Sequence, residues 1–225
     1  MDFKQRKDIV FLGLAGFFIT NAIVAELIGG KLVQFFGIFT QSIGIILWPI
    51  IFVLTDLLNE HYGKDGVKKL TYITVVLISF TFIILTIALH MKATSFSPVS
   101  DSDFKQVFGQ SQWIIVGSII AFLFSQLLDV YVFWLFKKMT GEKHIWLRAT
   151  GSTMISQLVD TFLVQYIAFV LPGYWAMNEF LENASWGYLF KLLVAIFLIP
   201  FIYLGHYLIG KYLNSPKNNT TISHT

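Results

Sequence analysis

Two five-residue strings carry the most telling chemistry in this chain: Ser-Gln-Leu-Leu-Asp at Ser125–Asp129 and Ser-Gln-Leu-Val-Asp at Ser156–Asp160. Each sets a hydroxyl, an amide and a carboxylate into a stretch otherwise rich in Phe, Ile, Leu and Val. On a helix, Gln and Asp three residues apart leave from one face, so each copy presents a donor and an acceptor together. A buried carboxylate is costly unless it is partnered. A ligand, a proton or a basic side chain would each serve. Glu26, Asp56 and Lys191 are further ionisable groups in apolar runs, accompanied by Asn21, Asn59, Gln126, Gln157 and Gln165. One such group is explained by helix packing, whereas this many predict a polar cavity walled by protein.

Holding these groups requires helices, and the composition says that their solvent is lipid. Of the 225 residues, 56% are hydrophobic and only 13% charged, against about 25% charged in a soluble domain. Six stretches supply the roughly 20 apolar residues that a bilayer-crossing helix needs: 9–29, 42–61, 69–90, 112–136, 150–172 and 187–210. The expected fold class is therefore an all-α integral membrane protein of six transmembrane helices. Residues 1–213 form one domain, followed by a polar, disordered tail over 214–225. Lys4, Arg6 and Lys7 precede the first apolar run as in a secretory signal. That run exceeds the roughly 7–15 apolar residues of a signal peptide and lacks a small-residue cleavage site, so it reads as a retained first span.

Lys and Arg set the orientation. With the N-terminus inside, twelve of them fall in cytoplasmic segments and three (Lys31, Lys92 and Lys105) in outer loops. This predicts a multi-pass protein of the cell (inner) membrane with both termini cytoplasmic. Glu60 and His61 then sit at the inner interface in solvated positions. Pro49 and Pro200, inside the second and sixth spans, are expected to kink their helices. Trp48, Trp113, Trp134, Trp175 and Trp186 read as interfacial anchors.

The two strings can be placed against each other. The fourth and fifth helices run antiparallel about a loop centred near Lys143, and Gln126 and Asp160 are equidistant from it, as are Asp129 and Gln157. At about 1.5 Å per residue, each Asp lies level with the Gln of the other helix. Gly117, Ala121 and Ser125 recur every four residues and lead to Asp129, giving a small-residue face that favours close helix approach. Two readings stay open: the ladder zips two helices together, or its carboxylates line a substrate site. Lys191, about a turn inside the outer end of the last span, either snorkels to the interface or pairs with Glu26.

Several classes are excluded. With no cysteine, there are no disulfides, zinc thiolates or thiol nucleophiles. His90 and His206 lack metal-ligand spacing, so no metal site is expected. Gly205–Tyr212 has the glycine and lysine spacing of a phosphate loop but ends in Tyr, and it closes a membrane helix instead of following a strand. No ATPase, other enzyme activity or cofactor is expected, and a net charge of +3 does not indicate nucleic-acid binding. Any transport is passive, ion-coupled or powered by another subunit.

Four blocks, WPIIFVLTDLLNEHYGKDGVKK, SQLLDVYVF, GSTMISQLVDT and KLLVAIFLIPFIYL, resemble in order those of the queuosine precursor transporter family, small six-helix proteins of the vitamin-uptake-transporter grouping. The resemblance runs from the first span to the sixth. It implies uptake of 7-cyano-7-deazaguanine, and of its aminomethyl form, for making queuosine in tRNA. Carried over by position, the matching groups are Asp56, Glu60, Asp129, Asp160 and Lys191. A deazaguanine offers adjacent N–H donors that one carboxylate accepts in a bidentate manner. Its exocyclic oxygen suits a donor such as Asn21, Gln126, Gln157 or Lys191, and its flat ring suits aromatic stacking. The substrate-binding candidates are therefore Asn21, Asp56, Gln126, Asp129, Gln157, Asp160 and Lys191. The alternative is the substrate-capture subunit of an energy-coupling-factor vitamin transporter, although the first span lacks the A-x-x-x-A docking pattern of such subunits. A homodimer is compatible with the size of the chain, with no interface legible.

Overall fold

The computed structural model describes residues 3–37, 39–109, 112–141 and 145–214; Lys143 and the tail beyond Asn214 lie outside them. Helix α1 (Phe3–Ile28) leads into a hairpin of β1 (Leu32–Phe35) and β2 (Phe39–Ser42) and a 3-10 turn (Ile43–Ile46). Then follow α2 (Trp48–His90), α3 (Asp101–Phe108), α4 (Gln112–Thr140) and α5 (Ile145–Gln165), which runs on as a π turn (Tyr166–Val170). The last elements are α6 (Met177–Phe197) and α7 (Ile199–Leu213). Among the described residues, five helical runs, built on α1, α2, α4, α5 and α6, are long and apolar enough to cross a membrane. Phe17, Val76, Phe80, Phe124 and Phe197 are exposed on their outer faces, as lipid-facing residues are. The chain is a multi-pass helical membrane protein.

The second and third expected spans both fall within α2, divided at Gly63 (φ 75°, ψ 176°), a backbone region essentially restricted to glycine. The two limbs lie side by side along α1. At one end, the Tyr62 hydroxyl donates to the Lys7 carbonyl (2.8 Å). At the other, Ile78, Thr81 and Phe82 line a small void with Ile23, Glu26 and Leu27. The start of α2 reaches this same end, since a Cβ on Gly44 would lie 2.6 Å from the Ala25 carbonyl oxygen. The Arg6 guanidinium donates to the Tyr212 carbonyl (3.1 Å), so α7 finishes beside the start of α1. The bundle thus has a basic end, holding the start of α1, Gly63, the α4–α5 connection and the end of α7. The opposite end carries the hairpin.

Several boundaries differ from the sequence reading. The second span begins at Trp48 instead of residue 42, because 39–46 form the second strand and the 3-10 turn. Pro49 occupies the first turn of α2, where a missing N–H is no loss, so it starts a helix and does not kink one. Pro200 occupies the first turn of α7 and marks the break at Leu198, within the stretch expected as one span. The hairpin is unanticipated. Phe36 (φ 53°) and Gly37 (φ 70°) turn it, and Phe39 stacks on Phe35 (5.9 Å) and Trp186 (6.4 Å), capping the bundle.

The core joins α1, both limbs of α2 and α4 through Phe18, Ile51, Leu58, Val67, Ile78, Phe122 and Val130. Helices α4 and α5 meet closely, as the small-residue face requires. A Cβ on Gly117 would lie 3.2 Å from Ile167, and Ala121, Ser125 and Asp129 are buried further along the same face.

Candidate functional site

The two Ser-Gln-Leu-x-Asp strings brace each other reciprocally. The Ser125 hydroxyl donates to Asp160 Oδ1 (3.2 Å), and the Ser156 hydroxyl donates to Asp129 Oδ1 (3.1 Å). The expected levels hold, but the partner of each Asp is the serine beside the expected glutamine. Where backbones approach this closely, the one-carbon reach of Ser spans the gap and frees the longer Gln. Gln157 Oε1 accepts from Lys191 Nζ (3.1 Å), and Gln126 Oε1 has no partner.

Lys191 brings α6 into the same cluster. Its ammonium lies 2.8 Å from Asp160 Oδ2 and 5.4 Å from the Trp48 ring centre, with both Lys191 and Asp160 buried. Lys191 does not snorkel and its ion pair is not with Glu26; it partners one of the two repeated carboxylates, Asp160, the basic side chain that the buried acids called for. Its stem is too deep to reach solvent, and Asp160 stands directly opposite.

The pair lines a cavity of about 110 Å³ toward the hairpin end, walled also by Glu26, Gln41, Ser118, Thr161 and Gln165. That is several times the space one water requires. Trp48, Phe169 and Trp175 add aromatic surface, and Trp175 stacks on Phe169 at 4.2 Å. Trp48 and Trp175 are therefore wall residues here. Gln165 precedes the π turn and Phe169 lies within it, where the Leu171 N–H bonds to the Tyr166 carbonyl (3.0 Å); such turns often accompany functional sites.

Of the seven sequence candidates, Asp160 and Lys191 line this cavity. Gln126, Asp129 and Gln157 line a separate void of about 10 Å³ with Thr55 and Ser156, enough for about one water. Asp56 is buried on the first limb of α2 with Oδ1 unpartnered, electrostatically close to Asp129 and Glu60. The Asn21 amide donates back to the Phe17 carbonyl (2.8 Å), off the cavity wall.

The basic end holds a second charged cluster. Glu60 meets the Arg148 guanidinium (2.8 Å) and Lys137 Nζ (3.2 Å). Arg148 is fully buried and donates to the Gly141 carbonyl (2.8 Å), while His61 and His206 pack ring against ring (4.9 Å). Glu60 and His61 are thus partly buried in a packed cluster instead of freely solvated. Arg148 was legible only as a loop cation, because nothing in its sequence neighbourhood announces that it turns inward.

Membrane-crossing helices around a charged, aromatic-walled cavity are the build of a small-solute transporter. Comparison with known proteins agrees: the chain belongs to the family described as "Putative vitamin uptake transporter", which its residues 42–205 match. It is 34% identical over 175 residues to a probable queuosine precursor transporter of Bacillus subtilis (strain 168), covering 77% of this chain and 74% of that protein. It is 25% identical over 165 residues to the queuosine precursor transporter of Escherichia coli (strain K12), covering 72% and 71%. The match to a probable queuosine precursor transporter of Haemophilus influenzae (strain ATCC 51907 / DSM 11121 / KW20 / Rd) is 28% over 167 residues, covering 71% and 66%. No solved structure matches the chain. The resemblance read from the four motif blocks therefore extends over most of the chain.

Proposed function

We propose that this protein imports queuosine precursors, 7-cyano-7-deazaguanine and its aminomethyl form, into the cell. The observation that carries the reading is the Asp160–Lys191 pair beside Trp48 on a cavity wall. Lys191 donates to the exocyclic oxygen of the base and Trp48 offers it a stacking plane. The names of the relatives support the substrate class.

The chain crosses the membrane six times, counting each limb of α2, with α6 and α7 making the last passage. Lys and Arg concentrate at the basic end, which the positive-inside tendency places in the cytoplasm with both termini. The cavity then faces outward, and the Glu60–Arg148–Lys137 cluster closes the inner half. Between them lie buried polar atoms without hydrogen-bond partners among the described residues: Asp56 Oδ1, both Asn59 side-chain heteroatoms, Gln126 Oε1 and Asp129 Oδ2. Such atoms are rare in native proteins and each calls for an explanation. An inward-open state that wets this half and passes the substrate along Gln157, Gln126, Asp129 and Asp56 supplies one. Asn21 stays outside the route.

The test is rescue of a bacterial strain that neither makes the deazaguanine precursor nor has its own importer. The gene is expressed alone, precursor is supplied at nanomolar levels, and queuosine in tRNA is measured. Rescue is expected. Its failure, with the protein confirmed in the membrane, defeats the reading, and rescue only with an added ATPase module turns it into the capture-subunit alternative.

A further inference from the structure

Asp160 is poorly placed to be the carboxylate that reads a donor edge. Each of its oxygens already takes a donor, Ser125 on Oδ1 and Lys191 on Oδ2, and the ammonium balances its charge. The second carboxylate on the cavity wall is Glu26 of α1, within hydrogen-bonding reach of Ser118. Counting ionisable side chains, the wall sets Glu26 and Asp160 against Lys191 alone, a formal excess of one acid. Gln165 Oε1 and Thr161 Oγ1 on the same wall are buried, on residues 5% and 1% exposed, and have no hydrogen-bond partner among the described residues. Buried polar atoms are normally paired, so a cavity with a surplus carboxylate and an unpartnered amide oxygen on its wall suits a ligand that brings N–H donors.

We infer that Glu26 is the specificity-determining residue: its carboxylate accepts the paired N–H donors of a guanine-type edge, and Gln165 accepts a further N–H. This rests on the cavity being the deazapurine site, and it gives that site a division of labour. Asp160 holds Lys191 in place for the ring oxygen, and Glu26 selects for the amino-substituted edge. Charge-assisted hydrogen bonds are roughly twice as strong as neutral ones. A site built to bond a donor rejects a ligand lacking it, because its own buried acceptor is left unpaired.

The experiment measures binding of 7-cyano-7-deazaguanine, and of the same base lacking its 2-amino group, to the purified full-length protein in lipid nanodiscs. The wild type is expected to prefer the amino-bearing base by about 10- to 100-fold. Glu26→Gln is expected to shrink that preference to a few-fold, the amino-bearing base losing clearly more affinity than the deaminated base, which presents only the ring N–H to this position. If Glu26→Gln does not reach the membrane, Glu26→Asp keeps the charge, withdraws the carboxylate by one carbon and gives the same readout. Equal wild-type affinity for the two bases overturns the inference and leaves the import reading standing. So does a variant that keeps full discrimination, or one that loses both bases equally, as a cation-coupling or purely structural Glu26 would. Binding of neither base by the wild type removes the import reading itself, and the inference with it.

Discussion

Asp129 and Asp160 end the same five-residue motif and accept from equivalent serines at nearly equal distances (3.1 and 3.2 Å), yet they occupy different worlds. Asp160 faces a cavity, and its second oxygen holds Lys191. Asp129 faces a void with room for about one water, with its second oxygen unpartnered and Asp56 as an acidic neighbour. The motif itself supplies the brace. What separates the copies is the third helix against them: α6 brings an ammonium to one, and the first limb of α2 brings another carboxylate to the other.

The sharpest way to break this contrast is one substitution made at both sites. Asp160→Asn strips Lys191 of its counter-ion while keeping shape and the Ser125 contact. Breaking a buried pair costs about 3–5 kcal/mol of stability, so the melting temperature should fall; in the protein that still reaches the membrane Lys191 is no longer held for substrate, and uptake per molecule should be nearly abolished. Disappearance of the protein from the membrane would show that Asp160 only holds the helices together. Lys191→Met should lose uptake equally. If either variant transports normally, the cavity pair does not handle substrate.

Glu60 extends the contrast to the basic end, where a carboxylate holds two cations on helices different from its own. Glu60→Gln removes the carboxylate that the fully buried Arg148 meets at 2.8 Å. The loss of stability should approach about 3–5 kcal/mol, read as a large fall in the melting temperature of the detergent-solubilised protein. Deazaguanine binding from the hairpin side should be largely kept. A variant that melts normally but no longer binds would mean that the two ends form one site.

Asp129→Asn should behave in the opposite sense to Asp160→Asn. It removes one of two neighbouring buried acids and orphans no cation, so the like-charge penalty with Asp56 falls. Its melting temperature should match or exceed that of the wild type, and uptake should fall far less than at Asp160. A melting temperature several degrees lower would show that Asp129 is a structural keystone, and the two copies would then differ in degree only.

How much of this was readable in the chain follows from what each residue can signal locally. Spans were readable because 20 apolar residues in a row have few alternatives, and the α4–α5 level was readable because antiparallel neighbours share a fixed rise per residue. The serine cross-brace was hidden: separation of the backbones decides whether Ser or Gln reaches, and no spacing reports it. Lys191 looked equally able to reach water or Glu26, since its choice depends on how α6 is rotated. The fold-back at Gly63 hangs on a single backbone conformation that the letters Tyr-Gly-Lys permit without requiring. Arg148 was misassigned, and the wall position of Trp48 missed, for a shared reason: basic and aromatic residues near span ends are usually interfacial, and only tertiary packing turns them inward.

The smallest predicted effect isolates the motif from its setting. Ser125→Ala and Ser156→Ala each delete one inter-helix hydrogen bond, 3.2 Å and 3.1 Å long, between α4 and α5. Both serines are almost fully buried. Each loss should therefore cost about 0.5–1.5 kcal/mol, lowering the two melting temperatures by similar amounts. Uptake should separate them, because Ser125 orients the carboxylate that holds Lys191, whereas Ser156 orients one that faces the void. Ser125→Ala should raise the precursor concentration needed for half-maximal uptake severalfold, and Ser156→Ala should leave it unchanged. Equal uptake defects would mean that helix spacing, not the orientation of Asp160, is what the serines supply, and the asymmetry between the copies would then lie wholly in α6.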